Sequence, residues 1–266
     1  MSGGMQACRY EFKYLVDEHT ADRIRDYISV YLEPDEFTNP KTGRGYPVHS
    51  LYLDSHDLKL CRQTLQGEKN RFKLRIRFYD DKIENPVFFE IKRRVSDVIL
   101  KQRAAVWRNA VPDLLAGKLP TMSMLVKASE KGARAIKDFH DLARSINASP
   151  AAYTSYTRAA YEPPSDNRYR VTFDSELKAG AFKDKLGVGD LDQWAIPKID
   201  GVVVELKFTD RRPNWMSECV QRFSLKRISV PKYVECVNMV DQEFATRNAG
   251  ARRAVVDQPV AIMDGT

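Results

Sequence analysis

The sequence is poor in the residues on which metal clusters and redox sites usually rest. Its four cysteines are Cys8, Cys61, Cys219 and Cys236. None forms a C-x-x-C pair, and none stands with histidine at zinc-finger spacing. They read as reduced, mostly buried thiols of a cytoplasmic protein. Four histidines, His19, His49, His56 and His140, are scattered over predicted helices and one strand and take no role. The common nucleotide and hydrolase signatures are missing as well. There is no G-x-x-x-x-G-K-[ST], no G-x-G-x-x-G after a strand, no H-E-x-x-H and no G-x-S-x-G. No apolar run approaches the ~20 residues that span a bilayer, and the first residues lack a signal-peptide pattern. The expectation is a cytoplasmic chain with no transmembrane segment of its own. No Pro/Ser-rich linker divides it, so residues 1–246 read as one domain. The patternless stretch 247–266 reads as a mobile tail.

What the chain has instead is positive charge in a regular pattern. Across 266 residues, 43 Lys and Arg face 36 Asp and Glu, a formal net charge of +7 spread along the sequence. That balance favours a folded cationic surface and a polyanionic partner. In Arg71-Phe72-Lys73-Leu74-Arg75-Ile76-Arg77-Phe78 every odd residue is a cation and every even one is apolar. Successive side chains of a strand point to opposite faces, so one face carries four positive charges and the other is apolar. Arg9-Tyr-Glu11-Phe-Lys13-Tyr14, Phe88-Phe-Glu90-Ile-Lys92 and Val204-Glu205-Leu-Lys207-Phe208 repeat the design.

Strands are expected over 9–16, 47–53, 71–79, 87–94, 98–107, 153–161, 169–177 and 202–208. Helices are expected over 18–31 with Asp17 as N-cap, 57–65 with Ser55 as cap, 129–146, 214–223 and 232–246. About eight alternating strands suit a small closed antiparallel barrel in an α+β fold. If the ionic face looks inward, amphipathic helices cover the apolar exterior and the lumen becomes a cationic tunnel. Such a lumen must be wet and paired with carboxylates or bound anions, because an unpaired buried charge costs several kcal/mol.

Arg75, Arg77, Lys92, Lys101, Arg103, Arg158 and Arg170 all fall on these strands, and the carboxylates Glu11, Glu90, Glu205 and Asp174 share parity with cations. Solvated Glu–Lys pairs are worth only ~0–1 kcal/mol each. The alternative is that the cations grip a polyphosphate while a carboxylate holds a divalent metal. Repetition of E-x-K at residues 11–13, 90–92 and 205–207, beside Arg75-Ile-Arg77, favours the phosphate reading. Tyr153-Thr-Ser-Tyr156 reads as the aromatic face of a strand, not as a base-stacking platform, and no nucleic-acid partner is expected.

These motifs, in order over about residues 9–240, resemble the triphosphate tunnel metalloenzymes, and within them the vacuolar transporter chaperone (VTC) catalytic domain. They include Leu51-Tyr-Leu-Asp54-Ser, Leu100-Lys101-Gln-Arg103, Tyr156-Thr-Arg158, Arg170-Val-Thr172-Phe-Asp174 and Pro231-Lys232-Tyr233. The resemblance implies a polyphosphate polymerase that extends inorganic polyphosphate from ATP in a barrel holding Mn²⁺ or Mg²⁺, with no membrane span of its own but with a membrane-protein partner. It implies Arg75, Arg77, Lys92 and Arg158 at the reacting phosphates. Lys13, Lys101, Arg103, Tyr156, Arg170 and Lys232 would be further phosphate contacts. Glu205 would hold the metal, with Glu90 or Glu11 as alternatives. Related tunnel phosphatases open with E-x-E-x-K, whereas Arg9 replaces the first acid here, which argues against plain triphosphatase chemistry. A tripolyphosphatase or nucleoside triphosphatase, or a non-catalytic polyphosphate-binding module, are the competing readings.

Overall fold

The computed structural model describes residues 9–241, apart from 97, 165–167, 190 and 192. Strand β1 (Arg9–Val16) runs into helix α1 (Glu18–Ile28), whose first turn is capped by Asp17 accepting from the Thr20 amide at 2.7 Å. There follow β2 (Glu33–Pro34), β3 (Tyr46–Asp54), α2 (Lys59–Leu65) and the meander β4 (Asn70–Phe78), β5 (Val87–Val95) and β6 (Val98–Val106). Helices α3 (Val111–Leu115) and α4 (Glu130–Ser145) fill the middle of the chain. Strands β7 (Ser149–Glu162), β8 (Tyr169–Gly180) and β9 (Val202–Thr209) then precede α5 (Asn214–Arg222) and α6 (Lys232–Val240).

Eight strands form one antiparallel sheet in the order β1-β9-β8-β7-β3-β4-β5-β6, and β2 adds a short pairing to β7. The closed barrel expected from the strand count is not formed. The path starts at β1 and ends at β6, and no ladder joins these strands among the described residues. The sheet curls until the two edges approach one another. Lys92 of β5 donates to Glu11 of β1 at 3.1 Å, so side chains bridge the seam where backbone does not. Both edges carry charge, Glu11 and Lys13 on β1 and Lys101 and Arg103 on β6, and charged edge strands resist pairing.

Parity decides the layers. Leu74, Ile76 and Phe78 of β4, with Phe89 and Ile91 of β5, point to the convex side and are buried against Ile136 and Phe139 of α4. Val171, Phe173, Val204 and Leu206 do the same on the other half, under Ile24 and Ile28 of α1 and Met216 and Cys219 of α5. Burying each such side chain stabilises the fold by ~1.5–3 kcal/mol.

The last helix departs from the expectation that all helices lie outside. α6 packs Tyr233, Val234 and Val237 against Tyr52 and Ala152, and Cys236 near Val48 and Tyr156. Val48, Tyr52 and Tyr156 share the face of the ionic residues, so this part of the concave side is apolar and needs a helix to cover it.

Two helix boundaries differ from the expectation. α2 starts at Lys59, and Asp54 is its main cap, accepting from the amides of Leu60 (2.8 Å) and Cys61 (2.9 Å). Ser55 contributes only a bond from the Lys59 amide. α6 ends at Val240, and the expected tail 247–266 lies outside the described residues. Cys61, Cys219 and Cys236 are free and buried, as expected; Cys8 lies outside the described residues.

Candidate functional site

The concave face lines a cavity of about 410 Å³ to which β1, β3 through β9 and the start of α6 contribute. Eleven of its lining residues are Lys or Arg and three are Glu, so the cavity presents a large cationic excess to whatever enters it. Lys13, Arg75, Arg77, Lys92, Lys101, Tyr156, Arg158, Arg170, Glu205, Glu11 and Lys232 all line it. Of the residues expected at a site, Glu90 and Arg103 do not. Glu90 lies fully buried beneath the cations, and Arg103 sits at the edge with its guanidinium 3.5 Å from the Phe88 ring centroid.

Three buried carboxylates organise the cations. Glu90 lies opposite both Arg75 and Arg103 in the sheet register. Its oxygens meet Arg75 Nη2 at 2.6 Å and Lys101 Nζ at 2.7 Å, with Arg103 Nε at 3.4 Å. Burial acts to raise its pKa, but Arg75, Arg77 and Lys101 outweigh it and hold the carboxyl well below the usual range. Glu205 meets Lys207 at 2.7 Å, Lys13 at 2.9 Å, Lys232 at 3.3 Å and Arg158 at 3.6 Å. It too stays ionised against its burial, through Lys13, Lys207, Lys232 and Arg158 in that order. Asp174 takes a fork from Arg158 at 2.6 and 2.7 Å and a bond from Lys232 at 2.7 Å.

Neutral side chains share in positioning Arg75 and Arg77. Tyr52 Oη accepts from Arg75 Nη1 at 3.1 Å, and Tyr156 Oη accepts from Arg77 Nη2 at 3.3 Å. Arg170 is set by Asp35 at 2.8 Å and Glu162 at 3.0 Å. Gly45 lets β3 begin close beside β7: a Cβ there would lie 2.2 Å from the Arg158 carbonyl oxygen.

Parity alone could have added two residues to the expected set. Lys73 and Lys207 continue the alternations of Arg75 and Glu205, and both line the cavity. Tyr52 and Asp54 carried no such signal. Tyr52 stacks on Tyr233 with centroids 4.4 Å apart, and Tyr233 Oη donates to Asp54 at 2.7 Å. The residue next to Tyr233 is Lys232, so this clasp fixes where that ammonium enters the cavity.

Glu11 and Glu205 both lie 2.9 Å from Lys13 Nζ, so one oxygen of each converges on a single point. Hard oxygen donors of this kind suit Mg²⁺ or Mn²⁺. No group of three His, Cys, Asp or Glu side chains gathers for a metal among the described residues. No helix among them is long and apolar enough to cross a membrane.

The family model of the VTC domain matches residues 8–240. The chain is 23% identical to vacuolar transporter chaperone complex subunit 4 of Schizosaccharomyces pombe, over 92% of this chain and 39% of that protein. It is 27% identical to vacuolar transporter chaperone complex subunit 4 of Trypanosoma cruzi, over 71% of this chain and 27% of that protein. It therefore spans well under half the length of these curated relatives. Among solved structures it is similar to a putative adenylate cyclase from Bacillus halodurans, with a TM-score of 0.46 and 14% identity, covering 84% of this chain and 93% of that one.

Proposed function

Since this chain belongs to the VTC domain family, we propose that it is a polyphosphate polymerase, moving the γ-phosphoryl group of ATP to the end of an inorganic polyphosphate chain. The observation that carries the reading is the excess of eleven Lys and Arg over three Glu around one cavity. Polyanions of closely spaced phosphates are the ligands such a lining neutralises best.

In the transfer, a terminal oxygen of the chain bonds to the γ-phosphorus. The bond from that phosphorus to the bridging oxygen breaks, and ADP leaves with the electron pair. The attacking oxygen is already anionic, so the protein has little covalent work and catalysis is positioning and charge neutralisation. Arg75, Arg77 and Arg158, held by Glu90, Tyr52, Tyr156 and Asp174, aim fixed N–H groups at the transferred phosphoryl. Lys92 and Lys101 contact the chain, with Lys13, Arg170 and Lys232 as further contacts and Arg103 steadying Glu90. Glu205 with Glu11 would hold Mn²⁺ or Mg²⁺, because both line the cavity; Glu90, fully buried and outside the lining, suits the role less. When bound there, such an ion would supply positive charge that offsets that of the phosphates. A membrane-protein partner that carries the product away is part of the same proposal, because the relatives are named as subunits of a vacuolar transporter chaperone complex.

The test is incubation of purified protein with ATP and Mn²⁺, followed by gel staining for polyphosphate and assay of ADP. Ladders of polyphosphate with matching ADP are expected. Free phosphate without ladders would make the protein a triphosphatase, and phosphate binding without ADP would make it a binding module.

A further inference from the structure

The cations of the sheet are arranged in rows, and one row contains no acid. Residues directly opposite on antiparallel strands have Cβ atoms about 4.5–5.5 Å apart, and like charges there are destabilising. In one row Arg75, Glu90 and Arg103 lie opposite one another and alternate in sign. Two residues along, Lys73 lies opposite Lys92, and Lys92 opposite Lys101. Three positive charges stand side by side.

Two of the three lysines find relief outside the row. Lys92 reaches across the seam to Glu11 at 3.1 Å; Lys101 leans back to Glu90 at 2.7 Å, although burial, with Arg75 and Arg77, still pushes it down to about 7. Lys73 has no carboxylate at ion-pair distance among the described residues. The groups facing it are Lys92 of β5, Lys13 of β1, Arg71 of its own strand, Cys61 of α2 and Tyr233 of α6, whose ring centroid is 6.0 Å from its Nζ. The thiol and the phenol stay neutral because burial pushes both up. An ammonium placed among cations, lining a wet cavity, is a charge without its counter-ion.

We propose that the Lys73–Lys92–Lys101 row is a second phosphate seat, which takes the far units of a linear phosphate chain and makes the protein prefer long chains to tripolyphosphate. The inference rests on the phosphate reading of the cavity and names Lys73 as a residue that sets chain-length preference. Lys73 and Arg77 are four residues apart on β4, about 13 Å along the strand. Arg75 is nearer, about 7 Å along the strand from Lys73, so three phosphates seated across Arg75 and Arg77 leave Lys73 past their end, and a longer chain is needed to engage all three. Burial, with Lys92, Lys13 and Arg71, pushes Lys73 down to about 7. An arriving phosphate favours the ammonium form, so binding of a long chain takes up a proton above pH 7 and weakens as the pH rises.

The test is titration of the protein with tripolyphosphate and with long-chain polyphosphate, for the natural sequence, Lys73→Met and Lys73→Arg, each with its thermal midpoint. The natural protein should bind the long chain more tightly. Lys73→Met should lose about tenfold more affinity for the long chain than for tripolyphosphate, the loss of one charge-assisted contact. Its midpoint without ligand should rise, because a repelling charge has gone. Lys73→Arg should keep the long-chain preference, and lose less of it at pH 8.5 than the natural protein does. Equal losses for both ligands in Lys73→Met, or a lower midpoint, would overturn the second seat and leave Lys73 a structural residue. Equal affinities of the natural protein for the two phosphates would sink the seat alone. Binding of neither would sink the polymerase reading with it.

Discussion

Glu205 is shared by four cations, and each of its two proposed duties makes a separate prediction. Glu205→Gln keeps the size and removes the charge. Lys13, Lys207, Lys232 and Arg158 then lose a common counter-ion, and leaving buried charges unpaired costs about 3–5 kcal/mol. A lower thermal midpoint is expected, restored by tripolyphosphate, together with turnover that tripolyphosphate does not restore. Near-normal turnover at saturating Mn²⁺ would move the metal role to Glu11. Arg77 makes a different prediction. Its guanidinium is buried, with Tyr156 Oη accepting at 3.3 Å, and lysine cannot reproduce the planar fork. Arg77→Lys should cost about 2.7–4 kcal/mol in the transition state, or ~100–1,000-fold in turnover, with a smaller loss of affinity. Equal losses in kcat and affinity, measured by steady-state kinetics and titration, would make Arg77 a ground-state binding group.

At the scale of elements, α6 matters most to the site. It has no side-chain cap of its own at Pro231, and its first turn is held instead by Tyr233, stacked on Tyr52 and bonded to Asp54. Asp54 also caps α2, so one buried carboxylate ties two helices to the end of β3. Tyr233→Phe removes a single hydrogen bond to that carboxylate, worth about 1.5–3 kcal/mol. A lower denaturant midpoint is expected, with reduced turnover because Lys232 is no longer held in place. In a Lys232→Ala background the loss of turnover should vanish while the loss of stability stays. If the two losses in turnover multiply, Tyr233 acts by another route than Lys232.

For the whole molecule, the buried carboxylates set the response to acid. Glu11, Glu90, Asp174 and Glu205 are all held below their usual values in the folded state, by cations that outweigh burial. Carboxylates titrate near 4 in an unfolded chain. Groups depressed on folding contribute stability in full above that value and lose it as the pH falls through their folded pKa. The denaturant midpoint should therefore be nearly flat from about pH 6 to about 5 and drop steeply below about pH 4, while Lys73, pushed down to about 7 on folding, makes stability rise with pH above 7. Tripolyphosphate should raise the thermal midpoint near neutral pH by binding the folded state alone. A midpoint that already falls between pH 6 and 5 would mean that the acids are not ionised by their cation partners.

Period-2 alternation was enough to place each major strand to within a few residues, because the direction of a strand side chain is a local matter. The same alternation grouped the cations on one face, and eleven of the thirteen expected site residues line one cavity. Asp17 and the start of α1 were legible for a similar reason: a cap acts over three residues. The open seam between β1 and β6, the place of α6 on the concave side and the capping of α2 by Asp54 were not legible. Each depends on contacts between residues far apart in the chain. Curl and register decide which carboxylate reaches which cation, and pattern along one strand says nothing of its neighbours. Lys73 shows the difference most clearly. Sequence makes it one more cation in an alternation; only the register that sets it beside Lys92, in one row with Lys101 and beyond ion-pair distance of any acid among the described residues, gives it a counter-ion to seek.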